Sequence, residues 1–400
     1  MTALPSCVVE RPASALAFCL SFPQGICVSL LPLQLLLHPL LRPPIRPATR
    51  HTLCCAASPL PFLTPHCHPE RNIIPLPPVP QIEILDLRHF NAEQLRLLLE
   101  DEARRWDQRL NWDYAKSTQL LLEYLDSRVL PGFVALHEAR VLGYAFCVYE
   151  AAKAVIGDVY AFGEAEGQTN PVCETLLHHL IEMLQATPGT DRIESQLLMF
   201  PGGALAAPFL SRGFKAYPRL FMGCVLPSSA PGATRAENRL PTGLRLVPWN
   251  DSFYEASGDL IHRAYLGHID SQINDQYRST HGSQRFLHNI VRFPGCGIFD
   301  AANSWVLREE RSGVIQGLLL CSRVHPDIGH ITQLCIAPSL RGFGLGRALL
   351  HRCTAEFVRR NFRGISLTVT EENHAARKLY ADYGFTPLHN FDAMVWNATD

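Results

Sequence analysis

Three glycines at alternate positions, Gly342, Gly344 and Gly346, separate a short apolar segment from a long amphipathic one. The apolar segment, 331–336, is typical of a strand, whereas 344–360 has apolar residues at helical spacing. Glycine has no Cβ, so the backbone between the two can turn tightly and approach a ligand. The amides of such a turn, with the first turn of the helix, favour an anion. The sequence therefore predicts a strand–turn–helix unit that binds a charged group such as a diphosphate.

Two basic residues, Arg341 and Arg347, flank the glycines and strengthen this interpretation. A glycine-rich turn without a ligand is the simplest alternative. A dinucleotide-binding fold is another, but its G-x-G-x-x-G spacing is replaced here by G-x-G-x-G. That fold also needs an acidic residue at the end of the next strand, where this chain has Ser366, Thr368 and Thr370. Both departures disfavour a dinucleotide site.

A second motif lies at residues 373–385, which read N-H-A-A-R-K-L-Y-A-D-Y-G-F. Together with the turn 341–346 and the segment 334–338 before it, this motif resembles the GNAT family of N-acetyltransferases. The turn is similar to the family's Q/R-x-x-G-x-G/A pyrophosphate motif, and 334–338 is similar to its fourth strand. The positions that match in the second motif are Asn373, Ala376, Leu379, Tyr380, Gly384 and Phe385. Over the rest of 243–398 the resemblance rests on the order of elements alone.

The resemblance implies an α/β fold and acetyl-CoA as co-substrate, without a metal. It places the backbone of the fourth strand beside the pantetheine arm, like an added strand, and the amides of 342–347 around the pyrophosphate. It places the Asn373 side chain near the pantetheine. The cofactor-binding residues implied in this way are Leu334, Cys335, Ile336, Arg341, Gly342, Phe343, Gly344, Leu345, Gly346, Arg347 and Asn373.

Tyr380 is the catalytic residue that the resemblance implies, because the matching position lies beside the thioester sulfur. A tyrosine hydroxyl, with an ordinary pKa of about 10, can protonate a leaving thiolate as a general acid. The alternative is that Tyr380 only packs, since Ala376, Leu379 and Tyr383 share its helix face. A covalent route through Cys335 is disfavoured, because the match puts that residue on the strand whose backbone holds the cofactor.

The general base has no clear candidate. Many members of the family use a carboxylate on the fourth strand, and the corresponding segment 330–333 contains none. His330 could serve, since the ordinary pKa of histidine suits neutral pH. Glu371 and Glu372 are further candidates, although a surface or helix-capping role fits their positions better.

The order of strands and helices in 243–400 also occurs in 81–226, and the Pro-, Ser- and Gly-rich segment 227–242 between them is typical of a linker. The sequence therefore predicts two GNAT-like α/β (α+β) domains, each a mixed twisted sheet flanked by helices. Two unrelated α+β domains are the alternative. Tandem members of the family with an active C-terminal copy have the same layout.

The first copy lacks the chemistry-bearing residues of the second. Alignment of the two copies puts Phe209 opposite Tyr380 and Gly202 opposite Asn373, while Pro171 replaces a loop glycine and removes an amide. We therefore expect residues 81–226 to fold like the second copy without catalysis, and to wall the acceptor cleft.

The first 80 residues differ from the rest, because they contain 16 of the 30 prolines and no acidic residue between Glu10 and Glu70. Proline at this density disfavours helices and central strands, so we interpret 1–80 as a disordered extension or a wrongly assigned start. The segment has neither a basic signal-peptide start nor an uninterrupted apolar stretch that spans a membrane. His66-Cys67-His68 lacks a second ligand pair for zinc.

The chain should act as an N-acetyltransferase that moves an acetyl group from acetyl-CoA to a primary amine in a ternary complex. A CoA-binding sensor or scaffold, and transfer of a longer acyl group, are the alternatives. A formal net charge of −1 indicates no nucleic acid partner. Single cysteines scattered after residue 80 indicate a reduced, cytoplasmic protein. The acceptor is a small-molecule or peptide amine, and Tyr254, His262, Tyr265 and His268 are candidates to line its cleft; the oligomeric state stays open.

Overall fold

A computed structural model describes residues 82–163, 170–227, 240–292 and 296–398, together with the backbone of two short strands. These strands, β1 (Phe18–Phe22) and β2 (Ile26–Leu30), pair in antiparallel fashion. The remainder of the proline-rich extension, including His66-Cys67-His68, lies outside the described residues.

The first half of the chain alternates strands and helices in the predicted order. Its elements are β3 (Glu83–Asp86), α1 (Ala92–Leu110), α2 (Ala115–Asp126), β4 (Gly132–His137), β5 (Arg140–Glu150), β6 (Lys153–Ala161), α3 (Pro171–Ala186), β7 (Arg192–Gln196), α4 (Ala206–Leu210) and β8 (Lys215–Val225). The periodicity did not indicate β6, because all nine of its residues are buried and a strand covered on both faces has no polar alternation. Helix α2 was also not expected.

The second half repeats this order with one additional helical turn and one additional short strand. Its elements are β9 (Leu244–Pro248), α5 (Tyr254–Tyr265), α6 (Asp270–Ile273), α7 (Thr280–Arg292), β10 (Ile298–Phe299), β11 (Trp305–Glu309), β12 (Ile315–His325), β13 (Ile328–Ile336), α8 (Leu345–Arg359), β14 (Gly364–Thr370), α9 (His374–Tyr383) and β15 (Thr386–Asn397). The added turn, α6, continues into a 3-10 helix at Asp275–Arg278. This segment between α5 and α7 was not predicted.

The strands of both halves join into one mixed sheet with helices on both faces, which confirms the α/β fold class. The order across the sheet is β3-β4-β5-β6-β7-β15-β8-β14-β13-β12-β11-β9, and β10 pairs beside β12. Only two pairs are parallel, β6 with β7 and β13 with β14. In the first half, α1 and α2 cover one face of the sheet and α3 and α4 cover the other. In the second half, α5 and α7 cover one face and α8 and α9 cover the other. The helices on each face pack in a separate apolar cluster.

The two halves exchange their last strands at the centre of the sheet. Strand β8, which ends the first half, pairs with β14 of the second half from Gly364↔Val225 to Thr370↔Arg219. Strand β15, which ends the second half, pairs with β7 of the first half. Strands β8 and β15 pair with each other between these contacts. Each half therefore completes its hydrogen bonding only with a strand of the other.

A buried ion network fastens the segment 270–278 of the second half to β5, β6 and β7 of the first. The Lys153 ammonium lies 3.2 Å from Glu150, 3.4 Å from Glu194 and in direct contact with Asp275. Burial alone would lower the pKa of Lys153, but the charges of these three carboxylates raise it above its usual value. Arg192 adds a 2.6 Å ion pair to Glu194 and donates to the carbonyl oxygen of Gln272.

Replacing the central cation of this network should destabilise the protein strongly. We expect Lys153→Met to lower the free energy of unfolding by about 3 to 5 kcal/mol, because buried carboxylates lose their partner. Urea unfolding monitored by tryptophan fluorescence measures this change. Lys116→Met, at an exposed position of α2, is the matched control and should cost under about 0.5 kcal/mol. Equal midpoints for the two variants would contradict the structural role of Lys153.

Candidate active site

The candidate site is the gap between β13 and β14. The two strands pair only from Ile328↔Gly364 to Ile331↔Leu367, although both continue beyond these residues. A β-bulge lies at Thr332, where the two strands separate. Leu320 on β12 pairs with Gln333 and the next residue, Cys321, pairs with Ile331, so Thr332 between them is the extra residue. Bulges bend the strand that carries them, so the strands diverge after this point.

The divergence leaves backbone groups of β13 directed into the gap. The Ala337 amide donates to the Gln316 carbonyl of β12 at 2.8 Å. Because amides alternate along an antiparallel strand, those of Leu334 and Ile336 point the other way, toward β14. The Cys335 side chain packs instead under α5 and α7, where burial raises its pKa to about 12. The thiol is therefore directed away from the gap and held protonated.

The glycine-rich turn lies between β13 and α8. Gly342 and Gly344 have φ angles of 85° and 75°, and a Cβ at either position would have no neighbour within 4 Å. The turn is therefore open on the side where a ligand would lie, and its left-handed conformations require glycine. The Arg341 guanidinium donates to the Ala264 carbonyl at the end of α5, while the Phe343 ring is 64% exposed. Arg347 is also exposed.

Helix α9 brings two of the predicted residues to the same gap. Asn373 caps the helix by accepting a 3.2 Å hydrogen bond from the Ala376 amide, and its side chain borders the gap. Tyr380, on the next turns, is only 7% exposed and its ring packs 5.7 Å from that of Phe385. Burial raises the pKa of the Tyr380 hydroxyl above its usual value, and the charge of Asp270 contributes. The phenol therefore stays protonated at neutral pH.

These groups surround a cavity of about 120 Å³ that reaches both halves of the molecule. Its walls are Gln196, Arg219, Tyr265, Asp270, Ile273, Asn274, Tyr277, Phe286, Ile331, Thr332, Gln333, Leu334, Leu367, Thr368, Val369, Asn373, Ala376 and Tyr380. Of the four residues proposed from the sequence to line an acceptor cleft, Tyr265 does so, whereas Tyr254, His262 and His268 do not. Gln196 and Arg219 come from the first half.

Asp270, at the start of α6, is the cavity residue with acid–base chemistry that sequence reasoning missed. Its carboxylate accepts a hydrogen bond from the Thr370 hydroxyl and lies 3.3 Å from His268 Nδ1. Burial would raise the pKa of Asp270, but the hydrogen bond from His268, the charge of Arg219 and the Thr370 hydroxyl lower it. The carboxylate is therefore ionised at neutral pH. The short helix that carries it had no apolar periodicity that could have indicated its position.

The three base candidates from the sequence lie outside the cavity walls. His330 is buried against Trp112 of the first half, and its Nδ1 lies 2.9 Å from the Ser366 hydroxyl. Burial lowers its pKa to about 3, so the ring is neutral and packed. Glu371 and Glu372 are exposed at the end of β14.

The matching gap of the first half, between β6 and β7, has different chemistry. Asp158 on β6 follows a bulge at Gly157, as Gln333 follows Thr332 on β13. Asp158 and Glu102 are both buried, and burial followed by the charge of Asp158 raises the pKa of Glu102 well above its usual value. Asn170 caps α3 by accepting from the Val172 amide, which uses a group that a phosphate would need. Phe209 is buried and supplies no hydroxyl.

Comparison with known families places the match in the second half. Residues 269–385 match the model of the acetyltransferase (GNAT) family. N-alpha-acetyltransferase 40 of Saccharomyces cerevisiae is 34% identical over 96 residues, which are 22% of this chain and 33% of that protein. Mycothiol acetyltransferase of Beutenbergia cavernae is 32% identical over 90 residues, or 22% of this chain and 30% of the relative. The chain thus spans about a third of the length of these curated relatives.

Solved structures resemble almost the whole described chain. A GCN5-related N-acetyltransferase from Sphaerobacter thermophilus aligns with a TM-score of 0.54 and 15% identity, over 79% of this chain and 95% of that one. A tandem GNAT protein from the clavulanic acid biosynthesis pathway aligns with a TM-score of 0.53 and 16% identity, over 80% and 99% of the two chains. At these identities the likeness concerns the fold, and it includes a tandem arrangement.

The described residues include no helix with the length and apolar character needed to cross a membrane. No group of three or more His, Cys, Asp or Glu side chains among them could hold a metal ion. None of the seven cysteines in this part of the chain forms a disulfide.

A proline in the glycine-rich turn should prevent cofactor binding. We expect Gly344→Pro to weaken the affinity for acetyl-CoA at least about 10-fold, because proline fixes φ near −65° and removes one amide. Isothermal titration calorimetry measures this affinity. Gly189→Pro is the matched control, since Gly189 has φ 82° and open surroundings in the first half. Unchanged affinity in Gly344→Pro would refute the turn as the cofactor site.

Proposed function

We propose that the chain transfers an acetyl group from acetyl-CoA to a primary amine, because residues 269–385 match the model of the acetyltransferase (GNAT) family. The observation that carries the proposal is the meeting of three features at one cavity: the diverging strands, the Tyr380 hydroxyl and the Asp270 carboxylate. The names of both curated relatives describe acetyl transfer, which supports acetyl as the group that is moved.

The gap between β13 and β14 can accept the pantetheine arm of the co-substrate. The amides of Leu334 and Ile336 would bond it as they would bond a neighbouring strand. The turn 341–346, with its two left-handed glycines, would hold the pyrophosphate through backbone amides at the start of α8. Asn373 would border the arm between these two contacts. This assignment brings the thioester toward Tyr380.

Tyr380 then acts as the general acid. The amine nitrogen attacks the thioester carbonyl, the C–S bond breaks, and the sulfur leaves as a thiolate that needs a proton. The phenol can supply it, and the same dry surroundings that raise the pKa of Tyr380 also raise the proton affinity of the thiolate. Proton transfer between the two groups is therefore less unfavourable than their values in water suggest.

Asp270 supplies the carboxylate that the fourth strand lacks. Attack turns the amine nitrogen positive, and a nearby carboxylate stabilises this charge. The N–H protons of the resulting intermediate are more acidic than those of a free ammonium ion, so a carboxylate with a lowered pKa can still accept one. Thr370 and His268 fix its orientation while one side faces the cavity.

The proposed reaction is tested directly by thiol release from acetyl-CoA in the presence of a panel of amines. A rise in free CoA that depends on the amine supports it. If acetyl-CoA binds and no amine raises thiol release, the chain is a CoA-binding protein without turnover. If longer acyl thioesters react faster than acetyl-CoA, the acyl group in the proposal is wrong.

Removing the phenol hydroxyl should slow the reaction without loosening the cofactor. We expect Tyr380→Phe to lower kcat about 100-fold or more, the usual size of a general-acid contribution, with little change in the Kd of acetyl-CoA. Tyr383→Phe is the matched control, because its hydroxyl bonds Thr354 and His351 outside the cavity. Steady-state kinetics separates the two variants, and a wild-type kcat for Tyr380→Phe would eliminate the acid role.

Removing the Asp270 charge should reduce kcat/KM for the amine about 100-fold. Because its pKa is lowered, the active carboxylate persists as the pH falls and is lost only below the ordinary range of aspartate. The pH profile of the wild type between pH 5 and 9 should therefore rise with deprotonation of the amine and show no carboxyl limb. Asp270→Asn tests the first point and exposed Asp259→Asn is its control. Equal kcat/KM values for these variants would exclude Asp270 from the reaction.

A further inference from the structure

The cavity contains a cation beside its anion. Arg219 on β8 is the cross-strand partner of Thr370 on β14, and the Thr370 hydroxyl donates to Asp270. Side chains of directly opposed residues start about 4.5–5.5 Å apart on one face of a sheet, so Arg219 stands next to Asp270. The charge of Arg219 indeed contributes to the low pKa of Asp270. Both groups line the same cavity.

The Arg219 guanidinium has unused donor capacity. It donates to the Gln196 side-chain oxygen and, at 3.5 Å, to the Thr368 hydroxyl, and it lies 5.8 Å from the centre of the Phe391 ring. Its Nε is buried without a hydrogen-bond partner, and among the described residues no carboxylate forms an ion pair with it. The guanidinium is half-buried, and the neighbouring Asp270 forms no direct ion pair with it, so Arg219 can still bond the carboxylate of a ligand.

A second donor faces the same space. Gln333 on β13 is 3% exposed, and its side-chain oxygen accepts from the Tyr277 hydroxyl at 3.3 Å. This bond turns the amide nitrogen the other way. Apart from the Cys335 thiol, whose pKa it lowers, that nitrogen has no partner in the described part of the chain. Arg219 and Gln333 thus both line the cavity, and each carries a buried donor nitrogen without a hydrogen-bonded acceptor oxygen within the described ranges.

We propose that the acceptor is a small amino-acid-like zwitterion whose amine lies at Asp270 and whose carboxylate lies at Arg219 and Gln333. This inference rests on the proposed acetyl transfer and names the class of its acceptor. The N-terminal half thereby supplies specificity, because β8 carries Arg219 and β7 carries Gln196, which orients the guanidinium.

A peptide terminus fits the same groups less well. Its first carbonyl is neutral and would bond Arg219 less strongly than a carboxylate does. Tyr265, Tyr277 and Phe286 form one wall of the cavity. Tyr265 and Tyr277 stack at 4.2 Å between ring centres, which makes this wall rigid. The wall suits the side chain of a single residue.

Matched acceptors test the proposal on the full-length protein. The panel contains free L-amino acids, the carboxamides of the same amino acids, the corresponding decarboxylated amines, and dipeptides. Thiol release is measured at a pH adjusted for each amine pKa, and binding to the protein saturated with CoA is measured by calorimetry. We expect amino acids to exceed their carboxamides and amines about 10-fold or more in kcat/KM and in affinity.

Variants test whether Arg219 and Gln333 cause the preference for amino acids over carboxamides and amines. Arg219→Gln should raise KM for amino acids about 10-fold or more and leave KM for carboxamides and for acetyl-CoA unchanged, whereas Arg219→Lys should restore part of the loss. Gln333→Glu, which presents an anion in place of a donor, should produce the same selective loss. Arg245→Gln, exposed on β9, is the control for removal of an arginine. Thermal melts identify any variant that fails to fold.

The outcomes separate this inference from the proposed function. If carboxamides or amines release thiol as efficiently as amino acids do, the proposed acceptor class is wrong while acetyl transfer stands. If dipeptides are preferred, the acceptor is a peptide terminus instead of a free amino acid. An equal loss for all acceptors in Arg219→Gln and Gln333→Glu makes both residues structural. Without any thiol release, the calorimetric arm still decides: selective, Arg219-dependent binding of amino acids supports the inference, and its absence refutes it.

Discussion

Backbone pairing between β13 and β14 stops after Ile331 and Leu367, and the two strands then diverge although both continue. A sheet that opens in its interior exposes amides that would otherwise be satisfied by a neighbour, which is costly unless something else bonds them. The bulge at Thr332 produces this opening on one strand, and its hydroxyl donates to the Leu320 carbonyl on the other side. The glycine-rich turn, Asn373, Tyr380 and the cavity all border the gap.

The exchange of last strands explains how the first half can matter for a site that lies mainly in the second. Because β8 takes the place beside β14, Arg219 and Phe221 from the first half face the second half's residues. The ion network around Lys153 holds 270–278 from the other direction. Asp270 is thus placed by contacts that reach β5, β6 and β7. A carboxylate on such a short segment needs this support, since four residues of helix have little stability of their own.

Local signals were sufficient to predict the strand, the glycine-rich turn and the helix that follows it. Strand, turn and helix at 331–360 follow from alternation, glycines and helical spacing, and the structure has them at nearly these bounds. The repeat was also visible, because both copies keep the same order of elements. By contrast, β6 is buried on both faces and gives no alternation. The exchange of β8 and β15 depends on pairs such as Thr370↔Arg219 and Asn397↔Arg192, which lie far apart in the sequence and which no local pattern encodes.

The charged residues of the cavity could not be predicted for the same reason. Asp270 lies in a polar stretch without periodicity, and Arg219 is an isolated arginine within a strand. Only the fold shows that they are neighbours, because Thr370 bonds Asp270 and is the cross-strand partner of Arg219. Their proximity also decides how the two charges act. If they formed a closed ion pair, both would be satisfied and the cavity would be inert. Instead Asp270 is held by neutral or histidine donors and Arg219 by amide and hydroxyl oxygens, so each keeps capacity for a ligand of opposite charge.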